Sequence, residues 1–592
     1  AGVTLEAPAL SLRAGTDVAA ATATLIGSGN VEIEVGNDLI AGTIVAGNVL
    51  DDLSDSGGPF TVPGDFIVGS LAYGGGADIL INAGRNLSLG FADPTGGAID
   101  LRAGEALFLG STAVNSGAIR LVGESVAFNN LHSSGVVYVT AGDGGISGLS
   151  VGFPVIDTAG GIALESTGDV IVADLFADGD IAISGATVAT SFLSADGSLA
   201  ITAEGAGSVG SFESGGFAVF TGASFDVGGG YAGSFLAIQA TEGDINFSTL
   251  GAAGDGTLQA SGALTGSDVV VGGTLSLSGA SMALGGAEAA AGIDATIGSD
   301  ASFTALSSSA GAVTITAGGD IAGAIVDAAT DVGLFGAQVG VANVAASDNL
   351  LVDAFGLQST TLSAGGDMVL SLAFGAFLGD ASAGGNLALS AVDGGITAGS
   401  LTAGGVLSVE STSPAVIDEA VAGTDLSIDV GILQSLRLAA GGAIAVTAGA
   451  GATIAEADAG GSIAFAGSEL TAGSLDAGTT LDVAVALTAA IDSLSSGDDA
   501  LLSGRSLDLG NGRVGGSLVA QASEGDLAFT DLSVSGALTL SAAGAISGSA
   551  LEAGNGVAAT GATLTFGAVA GGEGDVVLEA TDGALSATNV RG

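Results

Sequence analysis

The feature that most constrains this chain is a period. A small residue, then Gly-Gly or Gly-Thr, then an alternating apolar run recurs as AGGDMVLSL from Ala364, AGGNLALSA from Ala383, AGGVLSVES from Ala403 and AGTDLSIDV from Ala422. It continues as AGGAIAVTA from Ala440, AGGSIAFAG from Ala459 and AGTTLDVAV from Ala477, at offsets of 19, 20, 19, 18, 19 and 18. The same phase passes upstream through Ser309, Thr158, Asn115 and Tyr73, and downstream through Val514, Val534 and Ala553. A sustained period of this length marks a solenoid, because one such unit cannot bury its apolar side alone and stacked units can.

Within a repeat the alternation has a period of two, as in Asn386–Gly405, NLALSAVDGGITAGSLTAGG. Leu387 and Leu389 alternate with Ala388 and Ser390, the signature of a half-buried strand. Asp393-Gly394-Gly395 turns the chain, Ile396 opens a second short apolar piece, Leu401 marks a third, and the next Ala-Gly-Gly makes a corner. No helical stripe competes. The expected fold is all-β: a right-handed parallel β-helix of about 31 coils of ~19 residues. At ~4.8 Å per coil such a rod would be roughly 150 Å long. It is expected as a single continuous domain over residues 1–592, with loop insertions near 51–65 and 143–157, where the phase breaks.

Composition fits this reading and removes many functions. Of 592 residues 106 are Gly, so glycine is expected at tight corners and where turns need positive φ. Phe335, Phe355 and Phe374, at offsets of 20 and 19, read as a stacked ladder in the core, or else as an aromatic platform for a ligand. The 62 carboxylates against 8 basic residues, all Arg, give a net charge of −54, which repels nucleic acid and anionic membranes. With no Cys and one His, His132, a Cys/His zinc site and a thiol nucleophile are excluded. His132 itself reads as an outward or hydrogen-bonded residue. Leu438–Ala455 is uncharged, but its glycines are in phase with the repeat, so no membrane-spanning segment is expected. The first residues, AGVTLEAPALSLRAG, lack the layout of a secretory signal, which suggests a mature or internal piece.

Catalysis finds few candidates. Residues 121–436 contain no Lys or Arg, and Asp recurs at the turn before a strand, as at Asp169, Asp180, Asp244, Asp320, Asp367 and Asp526. Those positions fit turn chemistry better than an acid/base pair. No catalytic, cofactor-binding or metal residue is assigned. Calcium is the one ion to weigh, as weak binding only, because Gly571-Gly572-Glu573-Gly574-Asp575 misses the calcium-binding nonapeptide pattern by one place.

The Ala-Gly-Gly marker, the ~19-residue coil, the missing Cys and the Gly/Ala/Ser/Thr-rich turns resemble the repeat region of filamentous haemagglutinin-like proteins. That resemblance implies a bacterial adhesin exported by two-partner secretion, although the family's amino-terminal secretion domain has no counterpart here. The reading is a secreted or cell-surface structural rod of an adhesin or extracellular fibre, non-catalytic. Its partners would be other copies of itself or a cell-surface receptor or glycan. The alternatives are a polysaccharide-active lyase or hydrolase, marked by clustered carboxylates in a groove, and an end-to-end polymerising filament subunit. Both ends alternate like the middle, at Val3, Leu5, Leu10 and Leu12 and at Val576 and Leu578, so the rod is expected to be continued.

Overall fold

The computed structural model describes every residue except 1–3, 28–30, 47–49, 52–59, 74–77, 114–115 and 149–154. All regular elements among the described residues are strands, and the strands pair in parallel with the equivalent strand of the next coil. The architecture is a parallel β-solenoid of about 29 turns of ~19 residues. The count falls short of 31 because some coils are long. Asp38 and Asp65, one coil apart in space, are 27 apart in sequence, and Asn130 pairs with Val155. The parts of the expected insertions at 52–59 and 149–154 lie outside the described residues. Their flanks are ordinary coil, with Phe60 buried in the strand Phe60–Val62 and Ile146 buried in Ile146–Gly148.

The chain divides into two compact units, Ala1–Gly298 and Ser299–Gly592. In each, a coil has three sides. In unit 2 the first side is, for example, Leu387–Ala391, and the second and third share the strand Ile396–Ala403, which bends at Gly399. In unit 1 the same division is seen in Ile181–Gly185 and Val188–Ala195. The second and third apolar pieces are thus one bent strand, with no turn between them. Where the turn signal between first and second sides is missing, as in GILQS, the strand continues round that corner too, giving Leu426–Ala440.

The marker's two apolar positions form inward columns. Leu387, Leu407, Leu426, Ile444, Ile463 and Leu481 stack in register, and so do Leu389, Val409, Ile428, Val446, Phe465 and Val483. Leu389 is 1% exposed. Burying each such side chain contributes about 1.5–3 kcal/mol, and only stacking makes that burial possible.

The marker glycine is required for a reason that differs from the expected one. Positive φ among the described residues is confined to Thr95 and to Gly96, Gly145, Gly292, Gly451, Gly556 and Gly572. The marker column Gly365, Gly384, Gly404, Gly423, Gly441, Gly460 is absent from that set. A Cβ on each of the last five would collide with the carbonyl oxygen of the glycine one coil earlier. The corner backbones stack so closely that no side chain fits between them.

Asp and Asn at the corners serve the same stacking. Asp331 Oδ1 accepts the N–H of Asn349 (3.0 Å), Asn349 Oδ1 that of Asp367 (2.9 Å), Asp367 Oδ1 that of Asn386 (2.7 Å), and Asn386 Oδ1 that of Val406 (2.9 Å). The carbonyl of the same residue is held from the other side, as Leu350 N–H donates to Asp367 O. Asp180, Asp244, Asp320 and Asp526 cap the next coil in the same way, while Asp169 bonds the Thr187 hydroxyl. These are corner residues as expected, but their bonds run between coils and not within one turn. Alternating Asp with Asn from 331 to 386 keeps carboxylates from standing on adjacent coils, about 5 Å apart.

Two substitutions test this account. Gly441→Ala should destabilise unit 2 by about 1–3 kcal/mol, because the added methyl must push two coils apart. Native-state hydrogen exchange of the Gly441 amide, which donates to Ala422 O, would show it, with exposed Leu436→Ala as the neutral control. Leu389→Asp should cost on the order of 4 kcal/mol or more by burying an unpaired charge. A melting curve and protease resistance like wild type would show the inward face to be misassigned.

Candidate functional site

Outward positions also form columns, and two stretches of the third side are hollow. In unit 2 a groove of about 600 Å³ is lined by Glu456, Asp458, Asp476, Asp531 and Glu552, with Ser474, Ser493, Ser495 and Asn511 between them. Asp458 and Asp476 are direct cross-strand partners, an arrangement that like charges disfavour. Arg513 lines the same groove between Ser495 and Ser533. One edge of this side is neutralised by Arg437, whose Nη1 lies 2.7 Å from Glu419 Oε1. The carboxylates of the groove are all exposed. This is the clustering that the sequence did not reveal, because the five acids come from four coils, only Glu456 and Asp458 sharing one, and share no motif.

In unit 1 the larger groove, about 910 Å³, lies between two outward columns. One column runs Ser211, Gly229, Thr249, Asp268, and the other Glu213, Tyr231, Gly251, Val270, Glu288. Gly229 and Gly251 carry no side chain at diagonal outward positions, so the surface sinks between them. Tyr231 is 49% exposed and Val270 48% exposed. The Tyr231 ring settles against Gly251, where a Cβ would come 2.8 Å from Cδ2. The Gly228-Gly229-Gly230 run was legible as sequence, but its depth depends on Gly251 one coil away.

The expected phenylalanine ladder is present in part and sits outside. Phe355 and Phe374 stack with centroids 5.5 Å apart and planes 4° from parallel, yet they are 52% and 53% exposed. Parity explains Phe355, which follows inward Ala354, while Phe374 stands at the corner beyond the strand Met368–Leu372, its N–H donating to Phe355 O at 2.7 Å. Phe335 is out of the ladder, since its register partner is Asp353. A second exposed pair, Phe217 and Phe235 at 5.2 Å, occupies the corner position that Asp and Asn fill elsewhere.

His132 points outward beside its register partner Asp157, with Nδ1 3.8 Å from Oδ2. Among the described residues no group of three or more His, Asp or Glu side chains is gathered as metal ligands would be. Among the described residues no helix is long and apolar enough to cross a membrane. Comparison with protein-family models, curated proteins and solved structures finds no match.

Asp255 gives the corner bonds a pH signature. Its carboxylate accepts both the N–H of Thr274 (2.8 Å) and the Thr274 hydroxyl (2.9 Å), and these bonds hold it below the usual carboxylate range. A lowered folded value means the contribution is complete above the ordinary Asp value and is lost as pH falls through the lowered one. Protection of the Thr274 amide against hydrogen exchange should therefore weaken in acid, and Asp255→Ala should be less protected than wild type at neutral pH. Equal protection in the two proteins at pH 7 would refute the link.

Proposed function

We propose that this chain is a non-catalytic structural shaft of a bacterial extracellular adhesin or fibre. The observation that carries the reading is the register itself. Core, glycine and corner columns repeat coil after coil, and each backbone edge is used to hold the next coil. Chains built this way resist bending and local opening, because strain at one coil is shared by hydrogen bonds to both neighbours. The dense negative charge, −54 over 592 residues, keeps neighbouring shafts apart and soluble. The resemblance of the marker to filamentous haemagglutinin-like repeats points to the cell surface as the place of work, with other copies of the chain or a surface receptor as partners. Any calcium would bind weakly, at scattered carboxylates.

The test is accessibility on intact source cells. Added protease should remove the protein while cytosolic markers survive, and immunogold labelling should decorate extended surface structures. Recovery of the intact protein from the cytosolic fraction after protease treatment would end this reading.

The acidic groove of unit 2 supports a second reading, a polysaccharide hydrolase. Two carboxylates flanking a sugar bond are the minimum for such chemistry. Against it, a general acid is normally a desolvated carboxyl, and these five stand in water. Release of reducing ends from a panel of polysaccharides, abolished by Asp476→Asn, would favour the enzyme over the shaft.

A further inference from the structure

We propose that the Tyr231 groove of unit 1 is a saccharide site for an uncharged, extended β-1,4-linked glycan that lies along the stack of coils. The assignment rests on the groove alone, so its failure would leave the shaft reading untouched.

Shape is the first ground. The hollow is long and open, floored by backbone at Gly229 and Gly251, and flanked by a half-exposed ring on one column and hydroxyls on the other. It admits a chain lying flat and offers no deep pocket for an isolated small molecule.

Chemistry is the second. A pyranose has an apolar C–H face and a rim of hydroxyls, and the groove offers a partner for each. The Tyr231 ring and Val270 supply apolar surface. Ser248 and Thr249 supply hydroxyls, and neither is engaged in a hydrogen bond within the described residues. Apolar side chains laid here would strip water from the free hydroxyls without replacing their bonds. A polyanion would meet Glu213 and Glu288, which bracket the Tyr231 column, in a chain already at −54. That leaves an uncharged polyhydroxylated ligand.

Spacing is the third. Coils rise ~4.8 Å each, close to the length of one pyranose in an extended chain, so successive sugars meet successive coils. Phe176 stands in the same column as Tyr231, three coils earlier through Ser194 and Glu213, and its ring lies 5.5 Å from Phe192. Aromatic surface therefore recurs about 14 Å along this side. The equivalent columns of unit 2, from Asn343 and Ala345 through Asp531 and Ser533, carry no aromatic residue. The feature belongs to this stretch and is not a by-product of the repeat.

The experiment titrates the full chain calorimetrically with cellohexaose and chitohexaose, and with a hexamer of galacturonic acid as the anionic comparator. At least one uncharged hexaose should bind, and the acidic hexamer should bind at least about tenfold more weakly. Tyr231→Ala should weaken binding about tenfold or more, while Tyr231→Phe, which keeps the ring, should stay near wild type. Because the chain has three tyrosines and no tryptophan, ligand should also change tyrosine emission, and that change should be lost in Tyr231→Phe and kept in Tyr138→Phe. Tyr231 is outward, so circular dichroism should show all variants folded. Failure of both uncharged hexaoses to bind, or wild-type affinity in Tyr231→Ala, or equal affinity for the acidic hexamer, would overturn the proposal.

Discussion

A peptide carbonyl in one coil points at the Cα of the equivalent residue in the next, and the rest of the molecule is arranged around that approach. At the Gly404, Gly423, Gly441 corner the space between backbones is smaller than a methyl group. Sheet hydrogen bonding sets the spacing, about 4.8 Å, and the corners must conform to it even though no strand geometry holds them there. Glycine removes the steric obstacle, and Asp or Asn supplies a bond where the strand ladder breaks off. The inward Leu, Ile and Val columns then supply most of the driving force, which stacking alone can collect.

The alternation of inward and outward positions was readable in the chain, and Leu387, Leu389, Ile396 and Leu401 occupy the places that a period of two assigns them. Fold class followed from the same pattern. What the pattern could not provide was register between coils at irregular spacings. Phe335 and Phe355 are 20 residues apart, but the local coil is 18, so Phe335 meets Asp353 and the ladder starts one coil later. Backbone freedom is the property of glycine visible within one chain segment. Glycine's actual service at the marker is to leave room, which depends on a neighbour some 19 residues distant.

The same limit hid both grooves. Tyr231 stands out in a sequence with three tyrosines, yet nothing near it in the chain announces Gly251 or Thr249 as its neighbours. The acids of the unit 2 groove look like ordinary scattered charges because they are spread over four repeats. In a solenoid, a site is written down the columns, once per coil, while a motif search reads along the rows. A ligand-binding surface can therefore form with no two of its residues close in sequence, provided the period is strict enough to bring them into line.

The columns also make the coil a unit of length. From Gly365 to Gly515 each carries its own corner glycine, its backbone donor and acceptor and its inward pair, and each meets the next through the same set of contacts. A tandem duplication of some 18–20 codons would therefore insert one complete coil whose partners above and below are already suitable. Most proteins lose their fold when a segment of that size is copied into the core. Here the reach of the molecule can change by recombination within one gene, in steps of one coil, while the packing rules stay as they are.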